Sequence, residues 1–234
     1  MIALPRLYPI LDAACFRDTS ALLAAAEELA AAGCTLIQYR NKSGNARVML
    51  EQARELKKCL CVWSGGRPGP PASSATAPRT GASGAPQFVQ LIMNDRADLC
   101  LAAEFDGVHV GQDDLSPDAV RKIIGWGKQE KARWLGVSTH NPGQVGEADQ
   151  TSADYIAIGP VFATSSKVNP DPVIGLEGIR RARELTRKPL VAIGGITRAN
   201  ARSVVEAGAD SVAVISDLLR DPRKSAEEFL RILG

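Results

Sequence analysis

Charge of one sign is scarce in this sequence. Its 28 Lys and Arg stand against 26 Asp and Glu, a formal net charge of +2, so it lacks the basic surface that a phosphate-backbone binder needs. No nucleic-acid partner is expected. Cysteine is sparse and odd in number: Cys15, Cys34, Cys59, Cys61 and Cys100 include no CxxC pair, which excludes a disulfide framework or a zinc ribbon as the organising device. Reduced thiols and a cytoplasmic location are expected. No apolar run reaches the length of a membrane span, and Met1–Arg6 carries no basic region followed by a long apolar stretch, so neither a membrane anchor nor a leader is expected. Also lacking are a GxGxxG after the first strand-like run, a Ser-His-Asp arrangement and an activated cysteine. What remains is ordinary for a folded domain, with 45% hydrophobic and 23% charged residues.

One stretch breaks that composition. Ser64–Pro86 holds five Gly, five Pro, four Ser and five Ala, with no apolar residue larger than Ala, and cannot offset its ordering entropy by burial. It reads as a flexible low-complexity insertion within a single domain spanning 1–234, because strand and helix patterns resume on both sides. A Pro-rich docking segment is the alternative reading.

Elsewhere one unit repeats: a short apolar run, a polar loop, then a segment with apolar residues three and four apart. Eight strand-like runs fall at Leu7–Leu11, Leu36–Tyr39, Val89–Met93, Gly107–Val110, Trp134–Val137, Tyr155–Ile158, Leu190–Ile193 and Ser211–Ile215. Helical patterns follow at Ser20–Ala32, Ala46–Lys58, Arg96–Glu104, Pro117–Ile124, Pro142–Asp149, Leu176–Thr186, Ala199–Ala207 and Pro222–Leu233. Ser116-Pro117, Asn141-Pro142 and Asp221-Pro222 each set a capping side chain before a first-turn proline, and Gly33 and Gly208 follow Ala-rich helices where a left-handed cap is needed. Continuously apolar strands indicate a parallel sheet covered by helices. Eight βα units predict an α/β fold closed as a (β/α)₈ TIM barrel, with an open doubly wound sheet as the runner-up.

In such a barrel the strand C-termini form the working face. Here they run out into Gln38-Tyr39-Arg40-Asn41-Lys42, Asn94-Asp95, Gln112-Asp113-Asp114, Ser138-Thr139-His140, Thr164-Ser165-Ser166-Lys167, Gly194-Gly195 and Ser216. Three cations (Arg40, Lys42, Lys167), carboxylates (Asp95, Asp113, Asp114), hydroxyls and a Gly-Gly on one rim fit phosphate together with a hard divalent ion such as Mg²⁺. Asp95 and Asp114 read equally well as helix caps. His109, inside a strand, suits packing or hydrogen bonding better than proton transfer. His140, nearer the rim, is open to either role.

These runs closely resemble those of the thiamine-phosphate synthase family, as do Leu91–Arg96, Gly107–Leu115, Gly136–His140, Gly159–Lys167, Ala192–Ile196 and Val212–Ser216. The resemblance spans the chain apart from the insertion. It implies a transferase of thiamine biosynthesis that joins hydroxymethylpyrimidine, from its diphosphate ester, to a thiazole phosphate, releasing pyrophosphate by a dissociative, Mg²⁺-assisted route. It further implies that Gln38, Tyr39, Arg40, Asn41, Lys42, Asn94, Ser138 and Lys167 hold the pyrimidine diphosphate, with Arg40, Lys42, Lys167 and Ser138 catalytic. Asp95 and Asp114 would hold the Mg²⁺ cofactor, and Thr164, Ser165, Ser166, Gly195, Ile215 and Ser216 the thiazole phosphate. Partners on this reading are small-molecule substrates, with no nucleic acid and no membrane, and a homo-oligomer is left open. Two rivals stay open. A related thiazole-phosphate isomerase would work by proton transfer through His140, and a phosphate-ligand sensor would bind without turnover.

Overall fold

The computed structural model of the chain describes residues 2–64, 88–125, 132–164 and 171–234. Eight strands are present among them: β1 Leu7–Asp12, β2 Leu36–Arg40, β3 Gln90–Asn94, β4 Gly107–Val110, β5 Trp134–Thr139, β6 Tyr155–Ile158, β7 Leu190–Ile193 and β8 Ser211–Val214. All pair in parallel and in chain order, and β1 pairs with β8 through Tyr8 and Ala213, so the sheet closes. The expected barrel is the observed one.

The helices of the outer layer are α1 Thr19–Ala31, α2 Ala46–Ser64, α3 Ala97–Ala102, α4 Pro117–Ile124, α5 Pro142–Asp149, α6 Gly175–Leu185, α7 Ala201–Glu206, α8 Ser216–Leu219 and α9 Pro222–Leu233. The three Pro-led helices start as the sequence indicates. Ser116, Asn141 and Asp221 accept from the backbone N–H of Ala119, Gln144 and Lys224, while Gly33 and Gly208 take positive φ after α1 and α7. Helix α2 runs six residues past Lys58, because an apolar face continues through Leu60. Two short elements escaped the periodic reading: a 3₁₀ turn at Ala13–Cys15, capped by Asp12, and α8 directly after β8. Neither is long enough to show a helical period. The expected insertion at Ser64–Pro86 lies outside the described residues, apart from Ser64 at the end of α2. No described helix is long and apolar enough to cross a membrane.

Two apolar layers result from strand alternation. One lies between strands and helices and includes Leu11, Ile37, Tyr39 and Val108. The other fills the barrel interior with Tyr8, Ile10, Leu36, Ile92, Tyr155, Ala157, Val191 and Ala213. That inner face carries polar side chains upward to the strand C-termini: Asp12 above Ile10, Arg40 above Gln38, and Asn94 above Ile92.

Candidate active site

A cavity of about 570 Å³ opens at the C-terminal ends of the strands, within the ordinary range for small-molecule sites. Arg40, Lys42, Asn94, Asp95, Asp114 and Ser138 line it, as do Thr164, Gly195, Ile215 and Ser216. His109 and His140 join them. The barrel thus brings together ten of the expected site residues from seven strand ends and their loops. Ser165, Ser166 and Lys167 lie outside the described residues.

Three of the expected residues do not line the cavity. Tyr39 is fully buried and points outward into the helical layer. There its hydroxyl donates to Gln52 Oε1 at 2.6 Å. Asn41 turns the same way, its amide bonded to Tyr39 and Gln52. The reason is period two: Gln38 and Arg40 share the inward face, so the residue between them cannot. Gln38 does face inward but lies below the cavity floor, donating to the Tyr8 hydroxyl at 3.1 Å.

Cation and carboxylate are interleaved on the wall formed by β1 to β4. Arg40 is held by Asp12, which the sequence reading missed although Asp12 continues the inward series Tyr8, Ile10. Lys42 Nζ lies 2.5 Å from Asp95 Oδ2. Asp95 has φ +63°, a left-handed conformation that Asp tolerates better than most residues, and its N–H donates to the His109 carbonyl at 2.7 Å. Burial pushes the Asp95 carboxyl above the usual range and nearby Asp114 adds to this, while Lys42 opposes both. Neither aspartate caps a helix: α3 has no side-chain cap and Asp114 accepts from Gly111 N at 2.7 Å. Nearby, Asn94 Nδ2 is buried with no hydrogen-bond partner, a donor that only something in the cavity could satisfy.

On the wall formed by β7 and β8, Gly194 and Gly195 have φ +100° and +63°. A Cβ on Gly195 would meet Ala163 O at 2.5 Å, so glycine is needed both for the turn and for the close approach. Asn200 donates to Gly195 O at 3.1 Å, and Arg198 reaches both oxygens of Asp217 at 3.0 and 3.2 Å, tying the β7 loop to α8. Barrels commonly hold a phosphate group between the loops after strands seven and eight and a short extra helix. His140 Nδ1 sits 3.0 Å from Gly159 O and 3.4 Å from Asp171 Oδ2.

Beneath the floor runs a buried polar chain unforeseen in the sequence. Gln38 Nε2 meets Tyr8 Oη, which lies 2.8 Å from Tyr155 Oη; Tyr155 Oη lies 3.1 Å from His109 Nδ1, and His109 Nε2 lies 2.9 Å from Ser138 Oγ. Burial pushes the His109 imidazole down to about 4 and raises both phenols, so all three are neutral at pH 7.

A family described as thiamine monophosphate synthase matches this chain over residues 75–218. The thiamine-phosphate synthase of Koribacter versatilis is 53% identical over 235 aligned residues, covering 99% of this chain and 97% of the relative. That of Chloroflexus aurantiacus is 39% identical, covering 97% and 92%. The chain belongs to the thiamine-phosphate synthase family. The fold agrees: the thiamine phosphate pyrophosphorylase of Pyrococcus furiosus superposes with a TM-score of 0.75 at 28% identity, covering 97% of this chain and 95% of that one.

Proposed function

We propose that this chain is a transferase that condenses hydroxymethylpyrimidine diphosphate with a thiazole phosphate, forming thiamine phosphate and releasing pyrophosphate. The observation that carries the reading is the asymmetry of the cavity: Arg40, Lys42, Asp95, Asp114 and an unsatisfied Asn94 amide on one side, and the Gly194-Gly195 turn with Ser216 on the other.

Arg40 and Lys42 bind the diphosphate oxygens, and Asn94 Nδ2 gains its missing acceptor there. Lys167 would add a third cation from the β6 loop. Gly195, Thr164, Ile215 and Ser216 seat the thiazole phosphate, with Ser165 and Ser166 as further hydroxyls. Holding the two substrates in line turns a bimolecular encounter into a local one. The rest of the barrier falls because the pyrophosphate leaves into a wall preorganised for negative charge. No nucleophile or general base is required of the protein, in keeping with the absence of an activated cysteine or a serine triad from the sequence.

A divalent cation fits the donor set. Two facing carboxylates, one pushed above its usual range by burial, would be relieved by a hard cation. Among the described residues no cluster of three or more His, Cys, Asp or Glu gathers for a metal. Asp95 and Asp114 would therefore share the ion with substrate oxygens, the habit of Mg²⁺. When bound, Mg²⁺ supplies Lewis-acid charge to the leaving pyrophosphate. We further read the chain as one barrel domain with an insertion, reduced and cytoplasmic.

The test is a two-substrate assay with purified protein and Mg²⁺. Thiamine phosphate and pyrophosphate should form in equal amounts, and EDTA should abolish both. Absence of pyrophosphate release overturns the transferase reading. Turnover that survives chelation overturns the metal assignment.

A further inference from the structure

The buried chain under the cavity floor has a direction, and hydrogen counting fixes it. An amide nitrogen only donates, so Gln38 Nε2 donates to Tyr8 Oη. Tyr8 has one hydroxyl hydrogen, and its other hydrogen-bonding neighbour is Tyr155 Oη, so it donates there. Tyr155 then has its own single hydrogen left for His109 Nδ1. Nδ1 must be bare to accept it, and the imidazole proton sits on Nε2, facing Ser138 Oγ. A doubly protonated imidazole would leave the Tyr155 hydrogen buried without an acceptor, a costly arrangement.

Ser138 Oγ therefore receives a hydrogen bond from below, and its own hydrogen cannot go to His109. It turns toward the cavity that Ser138 lines. We propose that Gln38, Tyr8, Tyr155 and His109 are positioning residues that make Ser138 an obligate hydrogen-bond donor to an acceptor oxygen of the bound diphosphate ester. The proposal rests on the transferase reading for the identity of the ligand, and on the geometry alone for the polarity. Two neighbouring features agree with it. Asn94, paired with His109 in the strand register, adds a second donor without a partner. Gly136 leaves room for the network: a Cβ there would lie 2.1 Å from Tyr155 Cζ and 2.4 Å from His109 Nδ1.

The chain's two histidines make the test simple. In ¹⁵N-histidine-labelled full-length protein without substrate, His109 should show a protonated Nε2 and a bare Nδ1, its signal assigned by loss in His109→Gln. An Nδ1–H tautomer or a doubly protonated ring at neutral pH overturns the polarity. Tyr155→Phe should release His109 into a mixture of tautomers and lower kcat about tenfold, less than the 10²–10³ expected for removing a transition-state donor outright. The KM for the thiazole phosphate should stay unchanged. Tyr8→Phe is the milder second variant and should move the tautomer balance in the same direction; an unchanged tautomer in both variants overturns the chain. His109→Gln keeps a donor toward Ser138 and should retain more kcat than His109→Leu, and equal losses overturn the positioning role. Because the tautomer is read without substrate, failure to form thiamine phosphate counts against the transferase reading while an Nε2–H ring still supports the polarity.

Discussion

Arg40 owes its posture to Asp12, and Lys42 to Asp95, so each cation on the cavity wall is held by a carboxylate before any ligand arrives. The residues around them divide by parity, which a substitution pair can expose. Lys42→Ala should lower kcat by about 10²–10³, the scale for one lost charge-stabilising group. Tyr39→Phe should leave kcat within about twofold and cost about 1–2 kcal/mol of stability, since it strips a buried hydroxyl that donates to Gln52 and accepts from Asn41. Steady-state kinetics and urea unfolding on both variants check this. His109 makes a pH prediction. Burial depresses its folded value to about 4 against about 6.5 in the unfolded chain, so between those values the unfolded state binds the extra proton. Stability is then full above about pH 6.5 and falls toward pH 4, by on the order of 3 kcal/mol. His109→Gln should flatten that part of the curve in urea titrations at stepped pH.

At the scale of elements, α8 and the β7 loop act as one piece because Arg198 joins Asp217 and Glu228. Arg198→Ala should raise the KM for the thiazole phosphate about tenfold while leaving that for the pyrimidine diphosphate unchanged, as expected when positioning of one substrate alone is loosened. Equal changes in both constants would refute this coupling. The contrast between legible and illegible elements has a physical basis. The eight strands and the Pro-capped helices announce themselves through period and cap chemistry, both properties of consecutive residues. Helix α8 spans four residues and has no period to detect. The cavity's cations and carboxylates were visible as strand-end residues. Asp12 was in sight too, two places after Ile10 on the inward face, but only pairing with Arg40 makes it part of the site. The Tyr8–Tyr155–His109 chain was illegible because its members lie on three strands and look apolar or aromatic in sequence. Only barrel closure brings their polar atoms together.

For the whole molecule, the topology separates two faces with different tolerance. Helix α2 ends at Ser64 and β3 begins at Gln90, both at the strand N-terminal face, opposite the cavity. Replacing residues 65–86 with a short Gly-Ser linker should keep kcat within about twofold, because connections on that face serve stability rather than catalysis. A large loss of kcat in the purified variant would show that the insertion belongs to the site. The closure of β1 against β8 has a consequence for synthesis. Ser211 meets the Arg6 carbonyl across 205 positions of chain, so during synthesis β1 waits for β8 before both its edges are paired. Until then β1 presents an open backbone edge to any neighbouring nascent chain. Chains stopped at Asp210 should partition to the insoluble fraction, while chains carried through to Gly234 stay in solution.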